Sequence, residues 1–404
     1  MASHTPSGTW PAVGYETLNW EMPVEAGYGL ADLRAAQRQS GEYTAAIPAE
    51  IADLAVTLPS DVIVDAEEAS HEIARFDAEL GDEIAPFSSV LLRTESAASS
   101  NIENLTASAR AIAEAELGDT SRRNAAVIVA NTEAMKAAVA LADRIDSDAI
   151  LSMHAALMDS SRPTIAGKWR TELVWIGGGD FGPRGADFVP PRHELIVPAI
   201  DDLIRFAKRA DIPALPQIAI AHAQFETIHP FPDGNGRTGR ALIQAMLRNK
   251  RLTRQVTVPV SAGLLTDTDS YFDALTSYRA GDTAPIVERL SAASVLAVAN
   301  GRRLVNDLRS IRAGWESKIT ARRDSAIHRV ADLLLKRPVI NAQLLRRELG
   351  ISTGNARRYV DPLTEAGIIA EFTDRTRNRA WRAPEVLGAL DAFAARAGRR
   401  GLPA

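Results

Sequence analysis

The run His229-Pro230-Phe231-Pro232-Asp233-Gly234-Asn235-Gly236-Arg237-Thr238-Gly239-Arg240 decides how the rest of the chain is read. One helical pattern ends at Ile228 and another begins at about Gly236, which predicts a turn between two helices. Gly234 and Gly236 let backbone approach a ligand closely. The first N–H groups of the second helix, at its positive dipole end, form an anion site. Asn235 adds a neutral donor. Arg237 and Arg240 share a helix face and offer guanidinium forks for phosphate. Asp233 is a carboxylate beside this positive cluster, suited to a Mg²⁺ that itself carries phosphates. His229 is the group able to take a proton near neutral pH. The set describes a nucleotide-phosphate site with a metal and a base. No Gly-x-x-x-x-Gly-Lys-Ser/Thr loop occurs, so this is not an ordinary NTPase.

Outward from the run, helical patterns cover 195–207, 215–227, 237–249 and 269–280 on either side, and 61–83, 99–116, 122–142 and 150–158 before them, with Ser147 as a cap for the last. Residues 169–176 and Phe188–Val189 break the pattern and predict a short β-hairpin with a glycine-rich tip. The first ~40 residues read as an extended arm that Trp10, Tyr15 and Trp20 pin to the body. A long helix is expected over 290–319. The tail reads helix, helix, helix, hairpin: 325–336, a helix from Asn341 to near Gly350, a third from Ser352 to Ala366, then 368–372 paired with 380–382. That is the order of a winged helix-turn-helix. The expected divisions are an arm (1–44), an N-terminal helical region (45–125), a catalytic domain (126–290), a linker helix (291–320) and the winged helix (321–404), in a mainly α chain.

Composition narrows the chemistry. There are 404 residues and no cysteines, which excludes disulfides, thiolate zinc sites, iron–sulfur clusters and thiol nucleophiles. The seven histidines show no metal-ligand spacing. No apolar run approaches the ~18 residues of a membrane span, so a cytoplasmic protein is expected. Net charge is −5, yet residues 301–404 hold 21 Lys+Arg against 11 Asp+Glu, and the other 300 hold 25 against 40. A basic tail on an acidic body points to a second task, which is either contact with nucleic acid or a structural or docking role, since winged helices also mediate protein contacts.

His-Pro-Phe-x-Asp-Gly-Asn-Gly-Arg-x-x-Arg resembles the signature of the Fic (Fido) family, and every position matches. The resemblance covers roughly residues 45–290 and implies a helical Fic fold whose β-hairpin is a target-docking flap. It implies adenylylation (AMPylation), the transfer of AMP from ATP to a Ser, Thr or Tyr hydroxyl of a protein, the chain itself included. Carried over residue by residue, His229 is the general base and Asp233 holds Mg²⁺. Gly234, Asn235 and Gly236 cradle phosphate oxygens, and Arg237 and Arg240 bind the β- and γ-phosphates. Thr238 and Gly239 complete the nucleotide-binding run, Phe231 anchors the loop, and Tyr271 falls where an adenine-side aromatic is often found. A second match, Ser99-Ser100-Asn101-Ile102-Glu103-Asn104, fits the family's inhibitory pattern Ser/Thr-x-x-x-Glu-Gly/Asn. It implies an N-terminal inhibitory helix in which Ser99, Glu103 and Asn104 belong to the motif and Glu103 pairs with Arg240. Related readings are transfer of another nucleotide, removal of AMP, or a DNA-binding regulator using the Fic domain as a sensor. In the last case Arg357 and Arg358 on the third tail helix, and Arg375, Arg377, Arg379 and Arg382 on the wing, meet phosphate. A homodimer is the remaining partner expectation.

Overall fold

The computed structural model describes residues 10–21, 34, 38–80, 84–179, 181–372 and 379–398, the side chains of 84–86 excepted. The wing turn with Arg375 and Arg377 lies outside them. The chain forms two compact units, the first made of Met1–Glu67, Ala137–Asn249 and Asp269–Arg289, the second of Glu68–Lys136, Lys250–Thr268 and Leu290–Ala404.

The first unit is built around helix α1 (Ala214–Ile228), in which every residue from Leu215 onward is buried. A helix apolar all round belongs in a core, and its polar side chains find partners there. Gln217 donates to the carbonyls of Phe206 and Arg209, and Gln224 donates to Ala49 O and accepts from the Tyr278 hydroxyl at 2.8 Å. Helix α2 (Asn235–Asn249) follows the turn, with Arg237 through Leu247 buried. Gly239 makes the close approach of the two helices possible, since a Cβ there would meet Glu226 Oε1 at 2.7 Å and Phe225 at 3.0 Å. Around them lie α3 (Ser147–Met158), α4 (Ile196–Lys208) and α5 (Thr268–Arg279). The cap of α3 is Asp146, not Ser147: Asp146 is extended and its carboxylate accepts from Ala149 N at 2.8 Å.

The arm is more ordered than expected. Strand β1 (Gly14–Trp20) pairs antiparallel with β2 (Gly41–Ile47). Trp10 packs against Phe206 and Tyr278, and Trp20 packs against Trp175 while donating to Phe181 O, but Tyr15 is exposed. The segment 169–176 is not a strand. The flap hairpin is held by two isolated bridges, Ile176 with Phe188 and Gly179 with Gly182. The reason lies in distant contacts: Trp169 and Arg170 are committed to the 229–231 turn, as described below.

The second unit contains α6 (Ile84–Ile102) and α7 (Ala109–Glu116), then α8 (Ala326–Lys336), β3 (Val339–Asn341), α9 (Ala342–Leu349), α10 (Ala356–Glu365), β4 (Ala370–Glu371), β5 (Ala380–Arg382) and α11 (Pro384–Ala397). The strands form an antiparallel sheet in the order β3-β5-β4. Asn341 caps α9, and Gly350 ends it in the left-handed region. Ser352 makes no side-chain cap; a 3₁₀ turn at Thr353–Asn355 leads into α10. The long helix starts earlier than expected, at Ala284, and ends at Lys318.

The tail shares a core with α6 and α7. Ala113, Val339 and Leu387 form one apolar cluster. Glu116 sits between Arg93 (2.8 Å) and Arg337 (2.9 Å), while Arg93 also donates to Lys336 O. Burial works to raise the Glu116 carboxyl, but the two arginines overcome it and hold it below the usual carboxylate range. The tail thus belongs to the same compact unit as α6 and α7. Among the described residues no helix is long and apolar enough to cross a membrane.

Candidate active site

All twelve residues of the signature lie in the first unit. His229 caps α1 in the left-handed region (φ 50°, ψ 60°), donating its N–H to Phe225 O. That conformation is uncommon outside glycine, although histidine enters it more often than most residues, and its surroundings help to hold it. Arg170 does so. It is 2% exposed, and its side chain donates to three backbone carbonyls: His229 at 2.9 Å, Glu172 at 3.0 Å and Pro191 at 2.5 Å. Its own N–H donates to Pro230 O. Burial pushes this guanidinium down to about 10, with Glu172 acting the other way.

Phe231 is fully buried, stacked on the His154 ring at 3.7 Å and on Trp169 at 5.0 Å. His154 accepts from Gly167 N through Nδ1, which leaves Nε2–H to donate to Asp233 O at 3.0 Å, so the neutral ring is the one that fits. Asn235 clasps the turn, accepting from Phe231 N and donating to Phe231 O, both at 2.8 Å. Its side chain is therefore engaged with the backbone of the loop itself. Gly234 (φ 81°) has no room for a side chain: a Cβ would meet Met158 at 2.9 Å and Leu157 at 3.0 Å.

Asp233 is partly exposed and paired with Arg162 at 3.2 Å and Arg237 at 3.4 Å. Arg237, Thr238 and Arg240 are buried along the first turns of α2. The His229 ring is 18% exposed, with Nδ1 buried and 4.0 Å from Glu226 Oε2. Tyr271, expected as an adenine-side aromatic, is a buried residue of α5. It is 1% exposed, stacked over His222, with its hydroxyl 2.8 Å from Nε2, and is a core aromatic.

Sequence reasoning missed His154, Arg162, Arg170 and Glu226. Only His154 carried a signal: it shares the apolar face of Ile150, Met153, Leu157 and Met158, where a histidine must find polar partners. Nothing local marks an arginine that will satisfy backbone 59 residues away.

His154 and His222 set an acid limit. Burial lowers His154 to about 4, and burial followed by the Arg240 charge lowers His222 to about 3. In the unfolded chain both titrate near 6.5. The unfolded state thus binds more protons below 6.5, and the stability these rings supply is complete above that pH and lost as pH falls towards 4 and then 3. Calorimetry at pH 5 should find up to about two protons taken up on unfolding from these rings, and about one fewer in His154→Gln. An unchanged proton uptake in that variant would contradict the buried neutral ring.

In the second unit, α6 carries the Ser99–Asn104 match at its C-terminal end. Ser99 is buried, the helix ends at Ile102, and Glu103 and Asn104 are exposed. Asn104 lies in the left-handed region (φ 59°), and Leu105 N donates back to Ser100 O, a six-to-one helix ending that favours Gly or Asn at that position. This ending splits the stretch 99–116, expected as one helix.

The sequence profile of the Fic/DOC family matches residues 144–247. Over 145 residues the chain is 31% identical to protein adenylyltransferase fic-1 of Caenorhabditis elegans, which is 36% of this chain and 26% of that protein. Over 88 residues it is 35% identical to a probable protein adenylyltransferase of Aquifex aeolicus, covering 20% of this chain and 28% of that one. The chain thus spans about a quarter of the length of these curated relatives. A Fic family protein from Desulfovibrio desulfuricans shares the fold, with a TM-score of 0.50 and 21% identity over 81% of this chain and 97% of that one.

Proposed function

We propose, from the match of residues 144–247 to the Fic/DOC family, that the chain is a protein adenylyltransferase that transfers AMP from ATP to a hydroxyl side chain and is held down by its own Glu103. The observation that carries this reading is the complete signature held in one braced turn, with His229, Asp233, Arg237 and Arg240 fixed by burial and backbone contacts. His229 takes the proton from the target hydroxyl through the ring nitrogen away from Glu226. The hydroxyl oxygen forms a bond to the α-phosphorus as the bond to pyrophosphate breaks. Arg237, Arg240 and the start of α2 stabilise charge on the departing phosphates.

The residues present fit a Mg²⁺ that would be held by one carboxylate together with phosphate oxygens: Asp233 is the partly exposed acid of the turn, and one of its arginine partners, Arg237, is a residue that phosphate would claim. Bound there, the ion would neutralise phosphate charge. Incubation of the full chain with radiolabelled ATP and Mg²⁺ tests the reading: label on protein supports it, and its absence from parent and Glu103→Gly alike counts against it.

A second reading concerns the tail, which we take as a winged helix that contacts DNA phosphate. Its support is the exposure of Arg357 and Arg358 on α10 and the excess of basic residues after 300. Arg379 contributes less, being paired with Glu371. The full chain should bind random duplex DNA at low salt with an affinity that falls linearly in log–log form. Replacing Arg357 and Arg358 by alanine should flatten the slope by about two. Fluorescence anisotropy showing no binding would leave the tail as a docking module.

A further inference from the structure

Glu226 lies one turn before His229 on α1, is 6% exposed, and the expected chemistry gives it no role. Its two carboxylate oxygens face different neighbours. Oε2 is 4.0 Å from His229 Nδ1, which is itself buried. Oε1 occupies the space above Gly239, where a Cβ would sit 2.7 Å from it. Its charge also acts on Arg279 of α5, whose guanidinium lies 3.7 Å over the Phe188 ring: burial lowers that guanidinium and Glu226 works to raise it. A carboxylate placed in the core, where a glycine makes room for it, is costly unless it is paired.

We infer that Glu226 is the positioning residue for His229: its carboxylate accepts the Nδ1 hydrogen, selects the tautomer that bares Nε2 to the target hydroxyl, and steadies the imidazolium once the proton has moved. The logic is that of a base oriented by a third group. The 4.0 Å separation is longer than a hydrogen bond, and such contacts tighten when substrate is seated. Arg170 complements it from the other side by fixing the His229 carbonyl. The inference rests on the proposed role of His229 as base.

The other ionisable groups packed around this pair are His222 on α1, Arg240 on α2, Tyr271 and Arg279 on α5, and Arg170 from the flap base. His222 is neutral near pH 7, with its ring lowered to about 3 by burial and then by Arg240. The Glu226 carboxylate, 4.0 Å from Nδ1, is a negative charge in direct reach of the His229 ring.

The test uses full-length protein with ¹⁵N-labelled histidine, the His229 signal being identified by its loss in His229→Ala. In the parent, neutral His229 should carry its hydrogen on Nδ1. In Glu226→Gln it should titrate roughly 1–3 pH units lower, because a carboxylate within ~4–6 Å favours the charged ring. Glu226→Asp, which keeps the charge but withdraws it, should fall between and covers the case of a poorly folding Gln variant. Transfer in Glu226→Gln should drop about tenfold to a hundredfold at unchanged ATP affinity, with the acid limb of its pH profile moved to lower pH. A parent ring protonated on Nε2, or a titration unmoved in both variants, overturns the inference. These spectra need no turnover, so they stand even if the adenylyl transfer assay fails; loss of transfer in His229→Ala with parental transfer in Glu226→Gln overturns the positioning role alone.

Discussion

Replacing His229 by alanine is expected to lower AMP transfer by about 10²–10⁴-fold while leaving ATP binding close to parental. A positioned general base contributes a factor of that order, and the proposed mechanism gives this ring no phosphate to hold. The packing makes the substitution clean. The left-handed backbone at 229 is fixed by its N–H to Phe225 O and by Arg170 on its carbonyl, neither of which uses the imidazole. Asn235 and His154 hold the rest of the turn independently. Alanine in that region of φ,ψ costs roughly 1–2 kcal/mol, so the melting temperature should fall only modestly. Single-turnover transfer and equilibrium binding of a fluorescent ATP analogue separate the two effects. Parental transfer would remove the base from the mechanism.

Glu103→Gly is expected to raise transfer by roughly tenfold to a hundredfold. The proposal is that Glu103 pairs with the guanidinium of Arg240, which would otherwise seat the γ-phosphate and align the α-phosphorus. A hydrogen bond to a charged group is worth about 1.5–3 kcal/mol, and each 1.4 kcal/mol is about one decade of rate. Glu103 follows the last residue of α6 and precedes the left-handed Asn104, so glycine is tolerated there without breaking the helix. Glu103→Gln keeps the size, weakens the pairing with arginine and should give an intermediate gain. Equal self-modification by parent and Glu103→Gly would leave Glu103 as an ordinary residue of a helix end.

Much of this was legible because it depends on neighbours in sequence. The turn between α1 and α2 is written in Gly234 and Gly236 and in the apolar patterns on either side. The caps Asn341 and Gly350 mark α9 for the same reason. What sequence reading missed depends on partners distant in sequence. The pairing of β1 with β2 is set by the docking of Trp10 and Trp20 on residues more than 150 positions away. The segment 169–176 has strand composition, yet Arg170 and Trp169 are drawn to the 229–231 turn. Tyr271 has the period of a core residue, and its hydroxyl lies within hydrogen-bond distance of His222, a partner 49 residues away that no local pattern marks. At Asn104 a single left-handed residue ends a helix that an alanine-rich pattern would continue.

The central claim, that this chain moves AMP from ATP onto a protein hydroxyl, is met most directly by intact-mass spectrometry of the full-length Glu103→Gly protein after incubation with ATP and Mg²⁺. The account predicts a species heavier by one AMP moiety, absent when His229 is also replaced by alanine. A mass unchanged with ATP, or a gain that survives the loss of His229, would contradict it.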